Sequence, residues 1–189
     1  MAEARPSSFW DFSLEVYARP GVAPACLGLQ DRLGVDVNLL LLCCWAGASG
    51  RLLSADGLAA ALAAARPWQD DAVRPLRALH RRLKAGVPAV PAARLEGLRR
   101  RLADLELEAE RIEQDVIAAA LPAAPPRLAC APAQRAGPAD AAAAVANLRG
   151  YLALLGLAPE PDDVADLTAL VAACFPAGAG GALSFAACG

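Results

Sequence analysis

The chain has 189 residues and a formal net charge of −2, with 57% hydrophobic and 20% charged residues. This balance excludes an intrinsically disordered chain, because so much apolar side chain can offset the conformational entropy that folding costs. The length suits one domain of ordinary size, or one domain with a small appendage.

The sequence gives no sign of a membrane or secreted protein. The longest apolar runs, residues 39–46 and 58–65, are much shorter than the roughly twenty residues that cross a bilayer. The first residues lack the apolar segment of a secretory signal, so we expect a cytoplasmic protein. In a reducing compartment the six cysteines, which have no C-x-x-C spacing, should stay thiols.

The first two helices are predicted by local signals. Ser8 and Asp11 stand three residues apart, close to a capping box, and predict a helix over residues 9–18. Apolar residues at spacings of three and four then predict a second helix, which Gly34 ends.

Two further helices complete a predicted N-terminal bundle. Asp36 is a good N-cap for a third helix, which is apolar on nearly every side and should be the central post of the bundle. Ser54 should cap a fourth helix that ends near Arg66, with Pro67 marking a corner of the chain.

The strongest periodic signal predicts a helical hairpin. Apolar residues alternate at spacings of three and four over residues 95–119, and a shorter seam of this kind covers residues 72–83. Two facing seams predict an antiparallel hairpin whose second arm is the longer, with Pro75 starting or kinking the first arm. The longer seam consists of Leu95, Leu98, Leu102, Leu105, Ala109, Ile112, Val116 and Ala119.

The remaining chain is predicted to be a linker and a small helical unit. Five prolines between residues 122 and 138 cannot hold a helix, whereas helical apolar spacing returns after them. No strand pattern occurs, so the predicted fold is all-α. The predicted organisation is a helical bundle with its hairpin (7–121), a linker (122–138), a helical pair (139–176) and a flexible tail (177–189).

Candidate catalytic residues are few. The only histidine, His80, lies among arginines, which is typical of a surface residue. Glu106, Glu110 and Glu113 share one helix face, but carboxylate metal sites in helical bundles also use Glu-x-x-His pairs, which are missing here. We interpret the three as a solvated acidic face. No catalytic residue, metal or cofactor is predicted, because phosphate-binding loops and nucleophile elbows are also missing from the sequence.

Charge is segregated along the predicted hairpin. Residues 74–101 hold nine basic residues against one acid, and residues 104–115 hold six acids against one arginine. Clustered cations suit a protein partner or nucleic acid phosphates, and nucleic acid is less favoured because interleaved aromatics are missing. Alternatively, the basic residues form the solvated end of the hairpin, and their charges pair with the acidic half of a neighbouring molecule. The predicted partner-binding residues are Arg77, Arg81, Arg82, Arg99, Arg100 and Arg101.

Aromatic residues of the predicted bundle are the other candidates for a site. At helical spacing they favour a hydrophobic core, with a ligand pocket as the alternative. The predicted ligand-binding residues are Trp10, Asp11, Tyr17, Asn38, Trp45 and Trp68.

Four segments resemble a known family. They read SFWDFSLEVYARPGV (8–22), GVDVNLLLLCCWAG (34–47), WQDDAVRPLR (68–77) and LELEAER (105–111). Over about residues 7–120 the chain resembles an uncharacterised, mainly proteobacterial family of small hypothetical proteins, a domain of unknown function. The resemblance implies a bacterial, cytoplasmic protein and supplies no reaction, cofactor or catalytic residue.

The functional hypothesis is a non-catalytic adaptor that binds a protein partner through the charged hairpin. One alternative is a helical pocket for a small apolar ligand or lipid, and another is binding of nucleic acid phosphates at the basic hairpin tip. A heptad seam also suits association with a second copy of the chain. An enzyme is the least supported class.

Overall fold

The computed structural model describes residues 8–88, 90–121 and 138–176, with side chains from residue 140 onward in the last range. Within these ranges the chain contains helices and no strand, which confirms the all-α prediction. The predicted linker, apart from its last residue, Pro138, lies outside the described residues, and so does the whole predicted tail (177–189). In chain order the elements are α1 (Phe9–Tyr17), α2 (Val22–Leu33), α3 (Val37–Ala48), α4 (Ala55–Trp68), a π-helical segment (Gln69–Val73), α5 (Arg74–Lys84), α6 (Ala92–Ala120), α7 (Pro138–Leu154) and α8 (Pro161–Cys174).

Side-chain caps start three of the first four helices. The Ser8 hydroxyl accepts a hydrogen bond from the Asp11 amide at 3.1 Å, and the Asp11 carboxylate accepts one from the Ser8 amide in return. Asp36 caps α3 by accepting from the Asn38 amide at 2.8 Å, and Ser54 caps α4 in the same way. These helices begin where the sequence predicts.

α3 forms the centre of the hydrophobic core. Ten of its 12 residues are buried, because α7 packs along it and α1, α2, α6 and α8 also contact it. The adjacent Cys43 and Cys44 are both fully buried in this helix, and burial raises the pKa of the Cys43 thiol. Their packing fits the expected role of cysteine as a small apolar residue.

The two C-terminal helices pack into the same core as the N-terminal helices. α7 lies against α3, and α8 lies against α2. Tyr151 of α7 and Leu167 of α8 are buried among the core residues of α1 to α4. At the edge of the α2–α8 contact, Arg32 bridges Asp163 at 2.7 Å and Asp166 at 2.5 Å. The helical pair therefore completes the core around α3.

The helix continues through Pro67, so the prediction of a corner there is wrong. α4, the π-helical segment and α5 follow one another without a break. In the π-helical segment the Arg74 amide donates to the carbonyl of Gln69, five residues earlier, which widens the turn. This widened turn contains Asp71, the residue four before Pro75, and so accommodates the backbone crowding that the ring of Pro75 imposes. The two α-helices thus form one long arm.

The long arm pairs with α6 as an antiparallel hairpin. Arg77 contacts Glu110 and His80 contacts Glu106, so the contacts descend along α6 as they ascend along α5. α6 then continues along α4. The predicted hairpin is present, but its first arm is not the shorter one, because α4 extends it.

α6 buries only part of its predicted leucine seam. Leu102 and Ala109 are buried, as predicted. In contrast, Leu98, Leu105 and Ile112 are 45%, 57% and 37% exposed. The buried face of α6 is therefore rotated away from these three side chains.

The rotation turns the glutamates of α6 toward the interior. Glu113 is fully buried, and Glu106 and Glu110 are partly buried against α5. The interpretation of these three residues as a solvated acidic face is wrong. Arg77 and His80 of α5 bind Glu110 and Glu106, and the Asn38 side-chain amide binds Glu113.

The close approach of α3 and α7 makes a first prediction. A methyl group added at Gly47 would lie 2.6 Å from the Cα and N atoms of Ala144. Because backbone atoms cannot move aside cheaply, Gly47→Ala should lower the free energy of unfolding by about 1–3 kcal/mol, measured by urea denaturation.

Gly97→Ala is the matched control, since nothing lies within 4 Å of a methyl group added there in α6. This substitution should raise the free energy of unfolding by about 0.5–1 kcal/mol, because alanine favours a helix interior over glycine. Equal effects of the two substitutions would contradict the close α3–α7 packing.

Candidate functional site: a cleft between the hairpin and the aromatic helices

A cleft of about 650 Å³ opens between five helices, and we call it the main cleft. α1, α2 and α3 supply one wall, and α5 and α6 supply the other. Its volume falls within the range of pockets that bind small molecules. The cleft therefore lies where the hairpin meets the N-terminal helices.

Part of the lining of the main cleft is an apolar wall that is exposed to solvent. Leu14 and Tyr17 of α1, Leu27 of α2 and Leu107 of α6 all line it, and each is between 37% and 48% exposed. Trp10 extends this wall. Several large apolar side chains left in water at one concave site are typical of a surface that another molecule covers.

Polar contacts fix the position of α5 in the cleft. The His80 ring nitrogen Nδ1 lies 2.7 Å from a Glu106 oxygen, and both Nε and one terminal nitrogen of Arg77 bind Glu110, the latter at 2.5 Å. The second terminal nitrogen of Arg77 donates to Gln30 of α2 at 2.8 Å. These contacts hold α5 against both α6 and α2.

Three charged side chains of the main cleft have no such partner. Arg81 and Lys84 lie one turn apart on α5, and Asp31 lies across from them on α2. All three are exposed, and none forms an ion pair with another described residue. Two cations that project from one helix are a ready site for an anionic group.

A second cleft, of about 430 Å³, adjoins the main cleft, and we call it the side cleft. Asp36 and Gln69 line it, and it shares Gln30, Arg77 and Arg81 with the main cleft. Arg77 therefore separates two cavities, while its guanidinium is held by the contacts described above.

Behind these clefts two carboxyl groups meet in the interior. Asp36 and Glu113 lie close together, since Asn38 donates to both carboxyl groups, from its backbone amide to Asp36 and from its side chain to Glu113. The Asn38 side-chain amide donates to Glu113 Oε2 at 2.7 Å, and the Gln69 side-chain amide donates to Asp36. The Asp36 backbone amide donates to the Tyr151 hydroxyl oxygen at 3.1 Å. This carboxyl pair thus joins α3, α6, the π-helical segment and α7.

The carboxyl pair holds a proton near neutral pH. Burial, and then the charge of Asp36, raise the pKa of Glu113 to about 8. Burial also raises the pKa of Asp36, although its hydrogen bonds and the nearby Arg77 oppose the rise. Glu113 Oε1 accepts no hydrogen bond from a described residue, so protonation of this oxygen would displace no hydrogen bond.

Three of the six predicted ligand-binding residues line the main cleft. Trp10 and Tyr17 belong to its apolar wall, and Asn38 lies at its base. The Arg111 guanidinium lies 5.8 Å from the centre of a Trp10 ring. The structure thus brings α1 and α3 together in one concave site.

The other three predicted ligand-binding residues lie elsewhere. Asp11 is exposed in the N-terminal cap of α1. Trp45 stacks on Phe9 with ring centres 5.3 Å apart, and the Trp68 indole donates to the Ala109 carbonyl at 2.8 Å. These contacts give both tryptophans packing roles between helices.

The six predicted partner-binding arginines occupy different environments. Arg77 and Arg81 line both clefts. Arg99 pairs with Glu96 on the same helix at 3.1 Å. The remaining three are exposed and line neither cleft: Arg82, Arg100 and Arg101.

Sequence reasoning missed the buried carboxyl pair. Asp36 was fully explained as a helix cap, and Glu113 was assigned to a solvated face. The available signal was the position of Glu113, four residues after Ala109 and four before Ile117, both apolar and both buried. A charged residue between two such positions on one face indicates a buried, partnered group.

A comparison with known families identifies the relatives of this chain. The family described as "Protein of unknown function (DUF2390)" matches residues 8–117, which is more than half of the chain. The chain belongs to this family. Its DUF2390 segment agrees with the resemblance seen in the sequence, which was to a domain of unknown function. No curated protein and no solved structure matches the chain.

The main cleft lies entirely within the DUF2390 segment, since its lining runs from Trp10 to Gln114. α7 and α8 lie beyond this segment and contribute core packing and the Tyr151 contact. Among the described residues, no helix is both long and apolar enough to cross a membrane, and no three His, Cys, Asp or Glu residues are grouped to hold a metal ion.

The carboxyl pair predicts a stability that depends on pH. Because the pKa of Glu113 is higher in the folded chain than its ordinary value, the folded state binds more protons than the unfolded state between those two values. The free energy of unfolding should therefore fall as the pH rises from about 5 to about 8, by up to roughly 1.4 kcal/mol per pH unit. Urea denaturation at several pH values measures this slope.

Glu113→Gln should flatten the slope, because the amide keeps the shape of the protonated carboxyl and carries no charge. Glu96→Gln makes the same chemical change at a half-exposed position and should leave the slope unchanged. An unaltered slope in Glu113→Gln would rule out Glu113 as the group that titrates.

Proposed function

We propose that the main cleft binds a small amphipathic anion, a molecule with an apolar body and a carboxylate or phosphate head. The proposal rests on one observation. The same cleft contains a solvent-exposed apolar wall and two cations that have no acidic partner among the described residues. The apolar body would lie against α1, α2 and Leu107. The head would lie near Arg81 and Lys84.

The ion pairs of the hairpin support this division of the cleft. Glu106 and Glu110 are already occupied by His80 and Arg77, so they do not compete for the neighbouring cations. Asp31 is the one carboxylate of the main cleft that binds no Arg, Lys or His side chain among the described residues, and its charge should weaken the attraction for an anion. Removing the charge of Asp31 should therefore strengthen anion binding, whereas removing the charge of Arg81 or Lys84 should weaken it.

The adaptor hypothesis and the nucleic acid alternative remain predictions. Both rest on a basic hairpin surface, and two of its six arginines, Arg77 and Arg99, have carboxylate partners within the chain. The main cleft offers a more specific arrangement, because it combines apolar contact with oriented charge. We therefore rank ligand binding first, inside the cell as the sequence suggests.

An enzyme is a second candidate with one observation in its favour. A carboxyl pair with raised pKa values is a feature of acid–base catalysts, and Asp36 borders the side cleft. However, Glu113 is fully buried, and both oxygens of Asp36 accept hydrogen bonds from Asn38 and Gln69. The pair therefore fits a structural role better than a catalytic one.

Binding of a fluorescent amphipathic anion tests the proposal. The probe 8-anilinonaphthalene-1-sulfonate combines an aromatic body with a sulfonate and gains fluorescence in apolar sites. Arg81→Gln with Lys84→Gln should weaken its binding to the full chain by about thirtyfold, since each lost charge-assisted contact at a solvent-exposed site contributes on the order of 1 kcal/mol. Arg82→Gln is the control on the same helix, because Arg82 is exposed and lines neither cleft.

Two further comparisons sharpen this test. Asp31→Asn should tighten binding of the same probe, because it removes the opposing charge. Dodecanoate should displace the probe better than dodecanol, which has the same chain and no charge. If the probe binds with equal strength to the native chain and to the Arg81/Lys84 double variant, the proposed head site is wrong. If it does not bind the native chain at all, the whole proposal is wrong.

A further inference from the structure

α6 carries an exposed apolar stripe that the hairpin does not use. Leu98, Leu105 and Ile112 recur every seven residues, which places them in one column along the helix. They are between 37% and 57% exposed, and none of them lines either cleft. We call these three residues the outer stripe. A seven-residue apolar repeat is the pattern by which one helix packs along another.

A charged column runs beside the outer stripe. Its members also recur every seven residues, and each stands three or four positions from a member of the stripe. All are exposed, and none forms an ion pair with a described residue. The order of charge is two bases followed by two acids. The members of the column are Arg94, Arg101, Glu108 and Asp115.

We propose that the outer stripe is the contact between two copies of this chain, with the two α6 helices antiparallel and Leu105 at the twofold axis. In that arrangement Leu98 of each copy faces Ile112 of the other. Where two helices pack antiparallel, the same flanking column of each helix faces itself in reverse order. The interface is isologous, so every contact occurs twice.

Charge complementarity selects this occupant of the stripe. Reversal of the column places Arg101 opposite Glu108 and Arg94 opposite Asp115, so all four charges find opposite partners. In a parallel pair the column would lie on opposite sides of the interface in the two copies, so its charges would not face one another. The order of charges in this column pairs each base with an acid when the column lies antiparallel to a second copy of itself. Binding of an unrelated partner does not require such an order.

The proposed contact is independent of ligand binding in the main cleft. Leu107, Glu110 and Gln114 of α6 line the cleft, whereas the outer stripe lies on another side of the same helix. A dimer through the stripe therefore leaves the cleft open. Failure of the ligand proposal and failure of this one are distinguishable, because one is measured by probe fluorescence and the other by molecular mass.

Sedimentation velocity of the full chain at increasing concentration tests the dimer. The native chain should shift from monomer to dimer as its concentration rises. Arg101→Glu should raise the dissociation constant by about tenfold or more, because two attractive pairs become two repulsive ones. The double variant Arg101→Glu with Glu108→Arg should restore the native dissociation constant, since both symmetric pairs are then reversed together.

Two more variants separate the interface from general effects of charge and folding. Arg100→Glu changes the net charge equally at an exposed position outside the column, and it should leave dimerisation unchanged. Leu105→Glu places two like charges at the axis and should abolish the dimer, while its circular dichroism and thermal midpoint stay native because the side chain is more than half exposed.

The proposal is overturned if the native chain stays monomeric up to its solubility limit. It is equally overturned if the chain forms a dimer that neither Leu105→Glu nor Arg101→Glu weakens, or if the double reversal fails to restore the association that Arg101→Glu loses. A stripe occupied by a different protein would give the first of these results.

Discussion

The position of the hairpin depends on what happens at the start of α3. Asp36 caps that helix with one carboxylate oxygen and accepts from Gln69 with the other. Its backbone amide reaches Tyr151, and its carboxyl group contacts Glu113. One residue therefore ties the central helix to the widened turn of the long arm, to α6 and to α7. Burying a polar group without a hydrogen-bond partner costs free energy, so these contacts restrict the position of each helix around α3.

The same network explains why the hairpin is acidic on its inner side. Glu113 is buried near Asp36, where burial and the charge of Asp36 raise its pKa. The same rotation of α6 places Glu110 and Glu106 against Arg77 and His80. Because Arg77 and His80 are held by these contacts, Arg81 and Lys84 are the residues of α5 whose charges remain unpaired in the main cleft. The cleft's charge is thus a consequence of how α6 is turned in the core.

Sequence reasoning succeeded for features that depend on residues adjacent in sequence. It failed for features that depend on contacts between residues far apart in the sequence. The caps at Ser8 and Asp36 depend on the next few residues, and both were predicted. The corner predicted at Pro67 was wrong because α4 includes this proline and leads directly into the π-helical segment. The leucine pattern of α6 fits two faces, and α5, packed alongside, decides which face is buried. The main cleft needs five helices in place, so only Trp10, Tyr17 and Asn38 were predicted in it, from aromatic content and polarity.

The acidic residues of the hairpin sequence lie on two different sides of α6 once the helix has formed. In sequence, the acids after residue 103 form one block opposite one basic block. On α6, the spacing of four and three residues turns Glu106, Glu110 and Glu113 inward, while the spacing of seven keeps Glu108 and Asp115 outward. The inner set is bound by side chains of the chain itself and holds α6 against α5 and α3. The outer set is exposed and forms no ion pair with a described residue. A charge block that looks uniform in the sequence thus specifies internal packing on one side of a helix and an exposed charged column on another.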